Sequence, residues 1–479
     1  MNRIIHVLLL TCLSVWAYAQ TYPIGHRSAS FTDATRSNRT VTADVYYPAT
    51  VAGNNTAVAT GKFPIVVFGH GFVMAYTEYD YLYNYLAQNG FVVIMATTET
   101  SFSPSHDNFG KDLAFLVTKY YAENANSNSP FYNKLILKSA VMGHSMGGGA
   151  AFLAAANNNN VTTLVTFAAA ETNPSAIAAA ANVQVPSLTL AGTLDCVTPS
   201  ADHHLPMYNA IPSAFKFYVS IINGSHCRFG KASAFSSCVT GEGFSCGGTS
   251  SSFLSTTEQN NQVKSLVLPW LQFFLKGNCV SGKTFKNYID NNNNTKHTYQ
   301  TANTLPAVAV SIAQAAPSGG AILLSSTISS GIGCKYQWFK NNVAITGATQ
   351  PTYSATTNGN YKLRVRNGMN LSSFSNIIAI TTLTNLADDV AAKTTDEPLQ
   401  YTLYPNPATD LVQVQLYTET PQSYTLQLTS VEGKLVEQRT VLVHGEAQVS
   451  FDVTRWAAGI YTLRIAGTEG VYTEKIIKY

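Results

Sequence analysis

The stretch Ser139-Ala140-Val141-Met142-Gly143-His144-Ser145-Met146-Gly147-Gly148-Gly149, with the Ala-rich run that continues to Ala156, decides how the first half of the chain is read. Ser139 to Met142 reads as a buried strand and Met146 to Ala156 as a helix, with Gly-x-Ser-x-Gly at the join. A serine on so sharp a strand-to-helix turn needs small neighbours on both sides, because its backbone is strained and strand and helix approach closely. The turn would lift the Ser145 hydroxyl above the sheet and leave the Met146 N–H at the helix N-terminus, where it can donate to an oxyanion. Ser145 is therefore a candidate nucleophile.

Working outward from this turn, the pattern predicts strands at Pro64 to Phe68, Gly90 to Ala96, Thr163 to Ala168, Ser187 to Ala191 and Lys216 to Ile221, and helices at Tyr79 to Asn89, Asp107 to Ala122 and Gln262 to Leu275. Such alternation implies a mostly parallel sheet flanked by helices, with active residues on loops at the carboxyl ends of the strands. Two such loops carry complementary groups. Gly192-Thr193-Leu194-Asp195 follows one strand and Asn223-Gly224-Ser225-His226 follows another, so Asp195 and His226 leave the sheet at equivalent points. Serine is a poor nucleophile at neutral pH; His226 would take its proton and Asp195, staying ionised, would hold the imidazole tautomer. The loop after the first of these strands, Gly69-His70-Gly71-Phe72, offers the Phe72 N–H as second oxyanion donor, with its ring flooring the acyl pocket.

The competing side chains have plainer roles. His144 at the second position of the turn points away from the site and is expected to pack, and His70 to brace its loop. Asp202 and Glu171 are alternative acids, but neither follows a strand on a Gly-x-x-Asp turn. His203 and His204 sit in a helical segment where adjacent residues face different directions, so no metal site is expected there, and no cofactor is implied.

Of 479 residues only 11% are charged, with 29 Lys and Arg against 26 Asp and Glu, so no strong field exists to attract nucleic acid or an anionic membrane. Basic Asn2-Arg3, apolar Ile4 to Trp16 and Ala17-Tyr18-Ala19 read as a secretory signal cleaved after Ala19. No later apolar run has bilayer-spanning length. With Cys12 lost alongside the signal, Cys196, Cys227, Cys238, Cys246, Cys279 and Cys334 are left in an oxidising compartment where they can pair, and their number alone does not choose the partners.

Helical signals fade at the Asn-rich Asp290 to Asn294 stretch. Thr304 to Thr382 shows short strands with Tyr336-Gln337-Trp338 and Gly359-Asn360-Tyr361 as aromatic landmarks, and resembles bacterial immunoglobulin-like modules, with Leu363 where a disulfide cysteine would stand. After a polar linker, Tyr404-Pro405-Asn406-Pro407-Ala408-Thr409-Asp410, Ser430-Val431-Glu432-Gly433-Lys434, Ala458-Gly459-Ile460-Tyr461 and the terminal Lys475-Ile476-Ile477-Lys478 resemble, in that order, the C-terminal sorting domain of type IX secretion. That resemblance implies export across an outer membrane by the secretion machinery, to the medium or the cell surface.

His70-Gly71-Phe72, the Gly143 to Gly149 turn, Gly192 to Asp195 and Gly224-Ser225-His226 together resemble the α/β-hydrolase superfamily. Within it they are similar to the branch of cutinase-like polyester hydrolases, dienelactone-hydrolase-like esterases, chlorophyllases and platelet-activating-factor acetylhydrolases. The polyester-hydrolase group commonly ties the acid loop to the histidine loop by a disulfide, which here implies Cys196 with Cys227. Cys238 and Cys246 would then staple the Gly/Ser-rich insertion Phe229 to Asn261, expected as a loop that narrows or covers the cleft. Ala168 to Thr172 lacks the aromatic residue that many polyester hydrolases offer their substrate at that place.

The expected organisation is a signal peptide at 1–19, an α/β-hydrolase domain at 20–300, an immunoglobulin-like sandwich at 304–382, a linker at 383–398 and a sorting domain at 399–479. The expected protein is a monomeric, secreted serine esterase with catalytic Ser145, Asp195 and His226 and oxyanion donors Phe72 and Met146. Its substrate would be a short- or medium-chain ester, or an aromatic or polymeric one in an open groove. Acyl transfer by the same three residues, or binding at the cell surface on a hydrolase-like scaffold, are the alternatives.

Overall fold

A computed structural model describes residues 21–478 except 233–236, 249–251, 303–307, 319, 331, 370, 382, 384–398, 405, 407, 432–433 and 468–469. The expected signal peptide and nearly all of the expected linker lie outside the described residues. The chain divides into two units, Met1–Ala307 with Asn367–Leu371, and Val308–Arg366 with Ser372–Tyr479.

The first unit is built on a ten-stranded sheet. Six parallel strands form its centre, in the spatial order β5 (Val92–Ala96), β4 (Phe63–Gly69), β6 (Leu135–His144), β7 (Val161–Phe167), β8 (Ser187–Gly192) and β9 (Lys216–Ile221). They read as near-continuous apolar runs because helices cover both faces; every residue of β4 is buried. Two long strands absent from the sequence reading, β1 (Ile24–Asp33) and β2 (Arg39–Pro48), add antiparallel beyond β5, and the short β3 (Gly53–Asn54) lies at that edge. β1 alternates exposed and half-buried residues, with little of the apolar density of the central strands. At the other edge β10 (His297–Thr301) pairs antiparallel with β9, so the sheet is completed only after the Asn-rich stretch at 290–294.

The flanking helices are α1 (Asp80–Gln88), α2 (His106–Ala125), α3 (Met146–Ala156), α4 (Ala176–Ala180), α5 (His204–Ala210), α6 (Ser237–Ser245), α7 (Thr256–Lys276) and α8 (Cys279–Asn291). Ser105 caps α2 by accepting from the Asn108 N–H, and Ser255 caps α7 by accepting from the Glu258 N–H, which starts that helix six residues before its apolar periodicity begins. Leu113, Leu116 and Val117 of α2 and Phe152 of α3 pack with Ile65, Val67, Ile94 and Val141 of the sheet in one buried core. The insertion expected as a loop carries α6 instead.

In the second unit, β11 (Ala309–Gln314), β12 (Ile322–Ser330) and β15 (Thr352–Ala355) form one antiparallel sheet. β13 (Lys335–Lys340), β14 (Val343–Ala344), β16 (Gly359–Arg366), β17 (Ser372–Phe374) and β18 (Ile378–Ile380) form another. Trp338, Tyr361, Leu363 and Leu324 share their core; Trp338 stands directly across from Leu363 and donates its indole N–H to Gln350 O at 2.9 Å. A last antiparallel sheet contains β19 (Gln400–Tyr404), β20 (Leu411–Ser430), β21 (Leu435–Asp452), β22 (Gly459–Gly467) and β23 (Gly470–Lys478) around Val412, Val414, Leu426, Phe451 and Leu463.

Candidate active site

Ser145 sits between β6 and α3 with φ 55° and ψ −121°, a conformation unfavourable for a side-chain-bearing residue. The surroundings over-determine it. Its N–H donates to Phe167 O at 3.0 Å, and its carbonyl accepts from Gly149 N at 3.1 Å and Ala170 N at 2.9 Å. A Cβ on Gly143 would collide with the Gly147 carbonyl, and one on Gly147 with the Gly69 carbonyl, so only glycine lets the helix settle against β6 and β4. Met146 opens α3, and its N–H is among the donors that a helix start leaves without an intrahelical partner.

Asp195 and His226 follow β8 and β9. His226 Nδ1–H donates to Asp195 Oδ2 at 2.9 Å, with Asp195 8% and His226 2% exposed. The other carboxylate oxygen accepts from the N–H groups of Val197 (2.9 Å) and Thr198 (2.8 Å), and Thr198 Oγ1–H adds a bond to Oδ2 at 2.9 Å. Burial by itself would push the Asp195 carboxyl up, but the facing His226 and these donors outweigh it and hold the group down to about 2. Asp195 is ionised at any ordinary pH.

A clamp not legible in the sequence joins three loops. The His144 ring lies 4.7 Å from that of His226, and burial, reinforced by His226, keeps it well below the usual histidine range and therefore neutral. Its Nε2 is 3.1 Å from the His226 carbonyl and must carry the single ring proton, so Nδ1 accepts from Tyr79 O–H at 2.9 Å. Tyr79 in turn accepts from Gly71 N at 3.0 Å. The residue beside Ser145 thus ties the Gly71–Phe72 loop to the His226 loop. His70 lies between the carbonyl oxygens of Gly71 and Thr98, both at 2.8 Å.

Phe72 is 47% exposed and stands edge-on to Phe102, 83% exposed, with ring centroids 6.4 Å apart. Glu171 accepts from Ile177 N and is anchored through its own N–H to His203 Nδ1; neither it nor Asp202 bonds to His226 in the way Asp195 does. His204 is fully buried, bonded to Ser200 and Thr198. Among the described residues no group of three or more His, Cys, Asp or Glu side chains is arranged to hold a metal ion.

The cysteine pairing differs from the one the resemblance implies. Cys196 bonds Cys246 and Cys227 bonds Cys238, with Cα separations of 5.3 and 5.7 Å; the Cys196–Cys227 bridge is not formed. The physical reason is α6. Its first turn carries Cys238 next to the histidine loop, and just past its end Cys246 reaches Cys196 beside Asp195. The acid and histidine loops are still joined, but through a helix. Glu242 on α6 accepts from Cys227 N at 3.0 Å, and Ser237 donates to Val73 O at 2.8 Å.

A serine on a strained strand-to-helix turn, with a buried imidazole–carboxylate pair at neighbouring strand ends of a parallel sheet, defines the α/β-hydrolase class of fold and site. Residues 22–241 match the family of PET hydrolase-like proteins, and residues 402–479 match the secretion system C-terminal sorting domain. The chain is 28% identical over 184 residues to Cutinase est1 of Thermobifida alba, covering 38% of this chain and 56% of that protein. It is 27% identical over 194 residues to bis(hydroxyethyl) terephthalate hydrolase of Streptomyces coelicolor, covering 38% and 54%. The chain spans about half the length of the curated relatives it matches. Its N-terminal part is a PET hydrolase-like domain, and it ends in a type IX sorting domain, which marks it for export to the surface or the medium. Among the described residues no helix is long and apolar enough to cross a membrane.

Proposed function

We propose that the protein is a serine carboxylic-ester hydrolase in which Ser145 attacks the ester carbonyl. His226 takes the hydroxyl proton as the bond to carbon forms, and Asp195 stabilises the resulting imidazolium without taking the proton itself. The N–H groups of Phe72 and Met146 receive the oxyanion; His226 then returns its proton to the departing alcohol, and water releases the acyl group by the same steps. The observation that carries this reading is the buried His226–Asp195 pair, bonded at 2.9 Å, one ring contact away from the strained Ser145 turn.

The exposed Phe72 and Phe102 rings beside the oxyanion loop suit an aromatic acyl group, in keeping with a relative named for terephthalate ester hydrolysis. The substrate class is therefore a short, aromatic or polymeric ester in an open groove. The test is hydrolysis of p-nitrophenyl acetate through palmitate and of bis(2-hydroxyethyl) terephthalate by the protein and by Ser145→Ala. Activity on short and aromatic esters that disappears in the variant is the expected result. Inactivity of both proteins across the series would overturn the reading in favour of acyl transfer or binding.

A further inference from the structure

Behind the Asp195–His226 pair runs a buried polar chain that the hydrolytic scheme does not draw on. His204, fully buried at the start of α5, has Nδ1 3.1 Å from Ser200 Oγ and Nε2 3.1 Å from Thr198 Oγ1. Tyr218 on β9 donates to Ser200 Oγ at 2.9 Å. Thr198 Oγ1 lies 2.9 Å from Asp195 Oδ2, 3.1 Å from His226 Nδ1 and 3.2 Å from Ala168 O. Burial outweighs the pull of Asp195 and holds the His204 imidazole down to about 4, so it is neutral and carries one ring proton when the enzyme works near neutral pH.

One placement of protons satisfies the whole chain. Tyr218 O–H donates to Ser200, Ser200 O–H to His204 Nδ1, His204 Nε2–H to Thr198, and Thr198 O–H to Asp195 Oδ2. The second lone pair of Thr198 Oγ1 then faces His226 Nδ1–H. With the other His204 tautomer, Nε2 would claim the single Thr198 proton and Asp195 Oδ2 would lose that donor.

We propose that Thr198 and His204 are positioning residues of the hydrolytic site: the Tyr218–Ser200–His204 chain orients the Thr198 hydroxyl so that it braces the Asp195 carboxylate and the His226 imidazole together. This rests on the ester-hydrolase reading above. Neither residue touches the reacting atoms. Their effect is to fix the direction of the His226 Nδ1–H bond and to spread the charge of the carboxylate that holds the imidazolium.

Three variants test this by steady-state kinetics against pH on p-nitrophenyl acetate: Thr198→Val, Thr198→Ser and His204→Leu. Thr198→Val lowers kcat about tenfold, the scale of one hydrogen bond to a charged group, with little change in KM. It also moves the acid limb of kcat/KM upward by a few tenths of a pH unit, because a carboxylate with one donor fewer holds the imidazolium more tightly. Besides Asp195, the titratable groups facing His226 are His144 and His204; His203 and Tyr218 stand behind these, and the Arg228–Glu242 pair flanks the loop. None of them is altered in the Thr198 variants.

Thr198→Ser restores both rate and limb. His204→Leu weakens them in the same direction, and adding it to Thr198→Val costs little more, since the two act through one hydroxyl. Unchanged kcat and limb in Thr198→Val, or fully additive losses in the double variant, would overturn the proposal. Should Thr198→Val not fold, the comparison of His204→Leu with His204→Gln, whose amide can still donate to Thr198, reads the same effect. Titration of the His226 ring by NMR shows the shift without turnover, so failure of the brace and failure of the esterase reading are told apart.

Discussion

Asp195 gives up its water on folding and receives four donors in exchange, two backbone N–H groups on Oδ1 and the Thr198 hydroxyl and His226 ring on Oδ2. Its carboxyl titrates at about 2 in the folded protein against 3.8 for the unperturbed group. A depressed carboxylate contributes stability that is fully present above the unfolded value and is lost as pH falls through the folded one, here between about 4 and about 2. The shift corresponds to about 2 kcal/mol. Urea unfolding at pH 5 and pH 2 should show the native protein losing roughly that much more stability than Asp195→Asn over the same interval. The same variant should lower kcat by about 10⁴, because a neutral amide no longer fixes the imidazole tautomer.

At the scale of elements, α6 and the junction of β2 with α2 hold the parts around the site. The Cys196–Cys246 bridge closes 50 residues of chain and Cys227–Cys238 closes 11. Chain entropy makes the longer closure the more stabilising, by about 4 kcal/mol against about 3. Replacing Cys196 and Cys246 by serine should therefore lower Tm more than replacing Cys227 and Cys238, as calorimetry would record. Across the sheet, Asp112 on α2 is fully buried and held by Arg39 Nε (2.9 Å) and Nη2 (2.7 Å), by Arg36 Nη2 (2.7 Å) and by Thr98 Oγ1 (2.7 Å). Arg39 also grips Glu99, at the base of the loop that presents Phe102. Asp112→Ala would leave Arg39 with Glu99 and Arg36 with Asp33 as their remaining carboxylate partners, and with the shared buried acceptor gone should cost about 1–3 kcal/mol in denaturant unfolding.

For the whole molecule, the sorting domain and the hydrolase domain have separate cores, the first around Val412, Leu426 and Leu463 and the second around the parallel sheet. A chain lacking 399–479 should therefore hydrolyse soluble esters when recovered from cell extract, while none of it reaches the medium. Assay of extract and medium side by side checks both halves of that statement. With charged residues at 11% and net charge +3, the molecule offers a neutral ester no field to compete with, and turnover on such substrates should vary little with salt.

What the sequence by itself determined is what neighbouring residues dictate. Glycines at 143 and 147 around Ser145 mark a turn that only glycine permits, and short loops after apolar runs carry Asp195 and His226 to the same edge of the sheet. The sorting domain was readable from ordered motifs for the same reason. The antiparallel strands β1 and β2 escaped because their apolar residues are set among polar ones, without the continuous apolar run of the central strands. Only the tertiary structure decided the cysteine partners, since the course of α6 brings Cys246 to a residue 50 positions away. It alone decided the Tyr79–His144–His226 clamp and the Thr198–His204 brace as well. Their side chains meet through the packing of separate loops, and a histidine buried by that packing looks, along the chain, no different from one on the surface.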